Sequence, residues 1–482
     1  MLSSQPKGLY TLCFTELWER FGFYMVQMLI VLFLTRSMHF SEGHADLLYG
    51  AFGGLLYVSP VIGGWLADHY IGFRRAVIVG AVLLFVGYSL LMVPTLKIFY
   101  LGLAILIVGN GLLKPCISSM VGTLYKNDEA KREGGFTLFY IGINLGGIIP
   151  PLIAGTVIKA WGWHYGFGLA AGGMIVALLT FTLTSRVIWQ VGSVPKLSPL
   201  IQSKQAARVF NFKFTVGIIL FVALFYWGVL EAGITDWIIT AAAIVFTLYV
   251  LWCLRKEDVV HQRRLIGALI LIVFSIGFWM LYAESFSSMM LFAASNINLH
   301  IFGISITPEF TQFYNSAVII LFGPFFNWLW QYLDRKHCNP SIPLKFAFGM
   351  GLMCLGFVLL VIATNSQFAT EGKISDWWLM GSYILQTFGE LCLSPIGLAM
   401  ITMLAPKHLV GLMMGMWFFV VAGATAISGM LANLAAVPHG TPALDSLSIY
   451  HHAFSLWSFI SATLVVISFV IYPFVKRLIA IH

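Results

Sequence analysis

Charge is what this sequence has least of. Only 10% of its 482 residues are Asp, Glu, Lys or Arg, while 59% are hydrophobic; a water-soluble protein carries about 25% charged and about 45–50% apolar residues. A water-soluble multidomain protein is therefore excluded. Also missing are the alternating segments of about 10 residues that mark a membrane barrel. The six cysteines (Cys13, Cys116, Cys253, Cys338, Cys354 and Cys392) lie mostly inside apolar runs and show no CxxC or Cys/His ligand spacing, so neither disulfides nor a metal site is expected. The N-terminus lacks the basic patch, short apolar run and small-residue cleavage site of a signal peptide, because Glu16, Glu19 and Arg20 interrupt the first apolar stretch. The first segment is expected to be retained. No HExxH, GxSxG or paired-Asp motif falls within the apolar segments, which argues against a membrane-embedded enzyme.

Present instead are 40 Phe, 46 Gly and 19 Met, a composition suited to closely packed membrane helices. A hydrocarbon core about 30 Å thick needs about 20 residues per span. On that measure 14 segments are expected, at 10–35, 47–67, 74–94, 98–120, 136–158, 164–186, 213–231, 234–254, 263–289, 311–333, 343–364, 376–403, 409–435 and 451–475. The chain is read as all-α and membrane-spanning. Six segments fall within 1–186, a polar linker over 187–212 follows, two segments joined by a tight turn near Gly233 occupy 213–254, and six more lie in 255–482. The added pair carries no strong polar constellation.

Alternating the loops between two sides sorts the basic residues. Of 27 Lys and Arg, 21 fall on the side of the termini and four (Arg36, Lys97, Lys159 and Lys373) on the other. Positive residues accumulate in cytoplasmic loops, so both termini are expected in the cytoplasm of a cell membrane, the inner membrane in a Gram-negative cell. The basic excess is topological and no nucleic-acid partner is expected.

A charge at the centre of a spanning helix costs at least about 2.5–3.5 kcal/mol on insertion scales, so each one needs a partner or a task. The first segment has three: Glu16, Glu19 and Arg20. At about 100° per residue they share one stripe with Tyr24 and Gln27. Two acids against one base leave a carboxylate over. Lys114, within Gly109-Asn110-Gly111-Leu112-Leu113-Lys114-Pro115, is the other cation inside the membrane and the candidate partner. The alternative is that it snorkels to the surface. A neutral set of two acids and two bases becomes positive on gaining one proton, and so more attractive to an anionic group.

In the second half, Glu390 precedes Pro395, which frees a backbone carbonyl and is expected to break the helix beside a cavity. Glu284 follows Phe278-Trp279-Met280-Leu281-Tyr282-Ala283; Ser285, Ser287 and Ser288 beside it hint at an approaching membrane interface. Asn144 and Asn315 could be packing hydrogen bonds or ligand contacts. A cavity facing both halves would be positive on one wall and negative on the other, a field that suits a zwitterion. Tyr24, Tyr57, Trp279 and Trp417 offer aromatic walls, or only packing.

Four motifs in order carry a family resemblance. Gly64-Trp65-Leu66-Ala67-Asp68-His69-Tyr70-Ile71-Gly72-Phe73-Arg74-Arg75 resembles the loop between the second and third helices of the major facilitator superfamily (MFS). Glu16-Leu17-Trp18-Glu19-Arg20-Phe21 is similar to the ExxERF motif of the proton-dependent oligopeptide transporter (POT) family. Phe139-Tyr140-Ile141-Gly142-Ile143-Asn144-Leu145-Gly146 and Gly389-Glu390-Leu391-Cys392-Leu393-Ser394-Pro395-Ile396-Gly397 are similar to two further motifs of that family.

The resemblance implies the MFS fold of two six-helix bundles with two inserted helices, and symport of di- and tripeptides with protons by alternating access around a midplane site. It implies no cofactor beyond the coupling proton, and the single chain as the working unit. Arg20 and Lys114 would face the peptide carboxylate, and Glu390 with Asn144 and Asn315 the amine. Glu16 and Glu19 would couple the proton with Arg20 and Lys114, while Tyr24, Tyr57, Trp279, Ser394 and Trp417 would line the pocket. Another small substrate, such as an amino acid, nitrate or a drug, would use the same coupling cluster without needing Glu390.

Three positions depart from the family. Many members carry Arg where this chain has Gln27 and a carboxylate where it has Ala283, and pair the two as a gate. Losing both avoids an unpaired buried charge, so that salt bridge cannot form here. Glu284, one residue further on and turned by about 100°, is a displaced proton site or a polar lining residue. Phe23 replaces the Tyr expected beside Tyr24.

Overall fold

The computed structural model describes residues 5–125, 129–189, 191–195, 198–255, 257–301, 303–406 and 409–479. Lys126, Lys196, Lys256 and Lys407, four of the basic loop residues counted above, lie outside the described residues. Among the described residues, 14 helical spans are long and apolar enough to cross a membrane. The helices are α1 (Lys7–Arg36), α2 (Glu42–Leu66), α3 (Phe73–Leu91), α4 (Leu96–Leu124), α5 (Glu129–Trp161), α6 (Trp163–Leu183), α7 (Pro199–Gln202), α8 (Lys204–Leu230), α9 (Ala232–Leu254), α10 (Val259–Ala283), α11 (Ser288–Asn296), α12 (Gln312–Arg335), α13 (Ile342–Ala363), α14 (Asp376–Leu404), α15 (Val410–Ala432) and α16 (Ala443–Leu478).

Two compact units form. The first comprises Met1–Phe33 and Leu55–Thr235, the second Leu34–Gly54 and Asp236–His482. Helix α2 thus contributes its first half to the second unit and its remainder to the first.

In the first unit, small residues let backbones touch, the usual basis of helix packing where lipid offers no hydrophobic drive. A Cβ placed on Gly63 of α2 would lie 2.1 Å from the carbonyl oxygen of Gly111 in α4, and one on Gly146 of α5 would lie 2.3 Å from that of Leu17 in α1. Gly146 therefore brings α5 against the charged turn of α1. In the loop after α2, Gly72 adopts φ 77, a left-handed conformation that favours glycine. The backbone N–H of Arg74 donates to Gly192 O at 3.0 Å, and the guanidinium lies 4.4 Å from the Trp189 ring centroid.

Helix α8 starts at Lys204, ahead of the expected 213. Lys204, Arg208 and Lys213 lower the hydropathy there, but lysine and arginine are good helix formers, and the Ser203 hydroxyl caps the first turn at Ala206 N, 3.0 Å.

In the second unit a parallel pair joins Ile297–Asn298 to Ile374–Ser375, and an antiparallel pair joins His300–Ile301 to Ile304–Ser305. Pro395 does not break its helix, since α14 runs from Asp376 to Leu404 with Pro395 inside it. The interruption falls instead at Glu284–Phe286, a 3₁₀ turn between α10 and α11. Its cause is local. The serines after Glu284 turn inward to its carboxylate, so they do not mark the membrane interface expected from sequence.

Candidate functional site

The first unit holds the cluster anticipated on α1. Glu19 and Arg20 bind through two contacts, Arg20 Nε to Glu19 Oε2 at 2.5 Å and Nη2 to Oε1 at 2.6 Å. Glu16 lies one turn back, with Oε1 3.6 Å from Arg20 Nε and 2.5 Å from Lys114 Nζ. The leftover carboxylate and Lys114 therefore do meet. Glu16 and Glu19 are fully buried and Arg20 is 6% exposed, whereas the Lys114 side chain keeps 29% of its surface open. Lys114 is the member that a solute can reach.

Burying ions costs several kcal/mol each unless attraction and hydrogen bonds offset it. Here charges balance, and Arg20 gains two further contacts: Asn110 Oδ1 at 3.5 Å and the Phe23 ring, 4.2 Å from the guanidinium carbon. Asn110 is itself oriented by donating to Leu56 O at 3.0 Å. Glu16 Oε2 is buried without a hydrogen-bond partner, leaving an acceptor where a proton can go. Asn110 was quoted in the sequence only as part of the Lys114 motif; an amide in an otherwise apolar run was the signal that it had a task.

Tyr24 and Tyr57 are half-buried in the same unit; Tyr24 packs edge-on against Phe23, centroids 5.4 Å apart. Asn144 donates to Tyr140 O at 2.8 Å within α5, which holds its amide along the helix.

The second unit builds a polar set around Glu390. Asn315 Nδ2 donates to Glu390 Oε2 at 2.9 Å and to Thr387 Oγ1 at 3.0 Å, and the Tyr282 hydroxyl donates to Asn315 Oδ1 at 3.4 Å. Asn315 is a hydrogen-bonding partner of the acid. Thr387 and Tyr282 were overlooked, although both stand beside residues that were singled out. Two motif glycines gain reasons. A Cβ on Gly389 would lie 2.6 Å from Gly349 O of α13, and one on Gly397 would lie 2.2 Å from the Trp417 ring. Trp417 is 3% exposed and meets Trp279 edge to face, 6.3 Å between centroids. Ser394 is half-buried one turn beyond Glu390.

Glu284 is fully buried. It accepts from Ser288 at 2.9 Å, Ser287 at 3.4 Å and Ser428 of α15 at 2.9 Å. Four buried acids, Asp46, Asp236, Glu309 and Asp376, do not stand out in the sequence. Asp46 of α2, 1% exposed, stood just outside the expected second segment, and Asp236 of α9, fully buried, belongs to the added pair that looked unremarkable.

Known proteins resemble this chain along nearly its whole length. The POT family's sequence profile matches residues 74–475. The dipeptide and tripeptide permease A of Yersinia pestis is 36% identical over 98% of this chain and 93% of that protein. The crystal structure of a peptide transporter POT in complex with sulfate superposes with a TM-score of 0.84 at 29% identity, covering 98% of this chain and 96% of the other. A POT family transporter solved with a thioalcohol-conjugated peptide gives 0.84 at 26% identity over 98% and 97%. Such likeness along nearly the full length establishes the major facilitator fold. The chain belongs to the POT family.

Proposed function

We propose that this protein is a proton-coupled symporter that imports di- and tripeptides by alternating access through the cell membrane. One chain is the working unit and both termini face the cytoplasm, as the loop charges favour. The observation that carries the reading is the Glu16–Lys114 pair: a fully buried acid with one open oxygen, bound to the single partly open base of its cluster. A proton arriving on Glu16 cancels the charge that holds Lys114, and Lys114 is then free to take the peptide carboxylate, with Arg20 behind it. Glu19 is the second coupling acid. Glu390, held by Asn315, takes the peptide amine, and Tyr24, Tyr57, Trp279, Ser394 and Trp417 shape the pocket. The gradient supplies about 2.3 kcal/mol per charge per 100 mV. Family membership and the name of the Yersinia pestis permease support peptides as the substrate class.

The deciding experiment is uptake of labelled dialanine by liposomes containing the purified protein, under an inward proton gradient with the potential clamped by valinomycin. Accumulation that a protonophore abolishes is expected. Uptake indifferent to the protonophore would overturn the coupling, and absence of both uptake and dipeptide binding would overturn the substrate.

A further inference from the structure

Asp46, Asp236 and Glu284 are carboxylates buried in the second unit without a base. Asp46 is 1% exposed, and Asp236 and Glu284 are fully buried; the ion pairs among the described residues include none of them. Their surroundings differ. Glu284 accepts three hydroxyls, while neither oxygen of Asp46 or Asp236 has a hydrogen-bond partner.

The first half of α2 crosses α15 at very short range. A Cβ on Gly50 would lie 2.9 Å from Gly429 Cα, and one on Gly429 would lie 2.9 Å from Asp46 O and 3.3 Å from Asp236 Oδ2. The residue before Gly429 is Ser428, which donates to Glu284. One turn of α15 is thus shared by all three acids. The groups acting on the Asp46 carboxyl are Glu284 and Glu42. Glu42, on α2 itself, accepts from Val437 N at 2.8 Å and from the Tyr450 hydroxyl of α16 at 3.4 Å, with His439 nearby. Among the described residues, the charged groups that act on Asp46 are therefore acids.

An ionised carboxylate with no donor in a low dielectric is far costlier than one that accepts hydrogen bonds, and two neighbouring buried acids do not both ionise. We infer that Asp46 and Glu284 form a proton-binding pair separate from the α1 cluster, with the proton resident on Asp46 and the negative charge on hydroxyl-bound Glu284. Losing that proton sets two buried anions against each other beside Gly50 and Gly429, where no side chain can give way. Proton occupancy and the packing of residues 34–54 on α15 are then linked, and each stabilises the other.

The test needs neither peptide nor transport, so its outcome is independent of the preceding proposal. Infrared spectra of the purified protein are recorded through a pH titration in the protonated-carboxyl region. Asp46→Asn, nearly isosteric with the protonated acid, is expected to remove one band. Glu284→Gln is expected to shift that same band, and Asp236→Asn to remove a different one. Protection of residues 42–54 from hydrogen exchange, taken relative to the intrinsic rate at each pH, is expected to fall in the wild type as the Asp46 band disappears, and to stay high in Asp46→Asn. An unchanged set of bands in Asp46→Asn, or an unmoved Asp46 band in Glu284→Gln, would overturn the pair. Should Asp46→Asn fail to fold, Glu284→Gln and Ser428→Ala still decide, since the first removes the charge that faces the proton and the second removes a hydrogen bond that stabilises that charge. Protection factors that do not change with pH would overturn the link to packing.

Discussion

The two units keep their buried charge in different ways. In the first, two acids and two bases close on one another: Arg20 takes Glu19, and Lys114 takes Glu16. In the second, the acids meet only neutral donors: Asn315 for Glu390, serines for Glu284, and none for Asp46. A balanced cluster responds to a proton by exchanging partners, because cancelling one acid leaves a base without its ion. An acid-only cluster responds by holding or losing charge, because there is no base to release. The first arrangement suits handing a cation to a substrate anion. The second suits accepting a substrate amine or storing a proton.

Breaking the balanced cluster is expected to have the largest effect. Arg20→Ala leaves Glu19 buried without its partner, and removing one member of a buried pair costs about 3–5 kcal/mol. The thermal unfolding temperature in detergent should fall steeply and Arg20→Lys should recover only part, since lysine cannot make both contacts to Glu19. Glu19→Gln keeps the shape and removes the charge. It should abolish gradient-driven uptake while counterflow exchange persists, and driven uptake that survives would remove Glu19 from coupling.

A matched pair of substitutions sharpens the contrast between the units. Hydrogen bonds to charged groups contribute about 1.5–3 kcal/mol, so each of the next two variants should weaken peptide binding by roughly ten- to a hundredfold. Lys114→Ala should lose affinity for dipeptides but little for their C-terminally amidated analogues. Glu390→Gln should show the mirror pattern, losing affinity for dipeptides but little for N-acetylated ones. Equal losses across both ligand sets in competition binding would show that the two sites do not divide the peptide ends.

The smallest effect lies outside the membrane. Asp258 caps α10 by accepting from Val260 N at 2.9 Å and His261 N at 3.0 Å, and its carboxyl is held below the ordinary range chiefly by the His261 N–H. A lowered folded-state value means that the contribution is present above the unfolded value and lost as pH falls through the folded one. Asp258→Ala should therefore lower the unfolding temperature slightly at neutral pH and not at all in strong acid.

Much of the site was visible in order along the chain. Glu16, Glu19, Arg20 and Lys114 stood out because a charge in an apolar run is an energetic exception that no helix tolerates idly, and the 14 spans followed from bilayer thickness. Glu390 was visible for the same reason. The break at Pro395 was misjudged, because a proline reports a lost donor but not whether neighbouring helices keep the helix straight. Glu284 was seen, yet its serines were read as a surface. Asp46 escaped because charge is common at a segment's end, where water is expected.

Apolar length and misplaced charge are local properties, so the number of spans and the acids and bases to be reconciled could be read directly from the residues. Which partner each ion takes is a matter of contacts between segments distant in the chain, such as the 98 positions between Glu16 and Lys114. Burial of Asp46 against Gly429 belongs to that second kind. It depends on two helices approaching until backbone meets backbone, and no single segment carries the information for that approach.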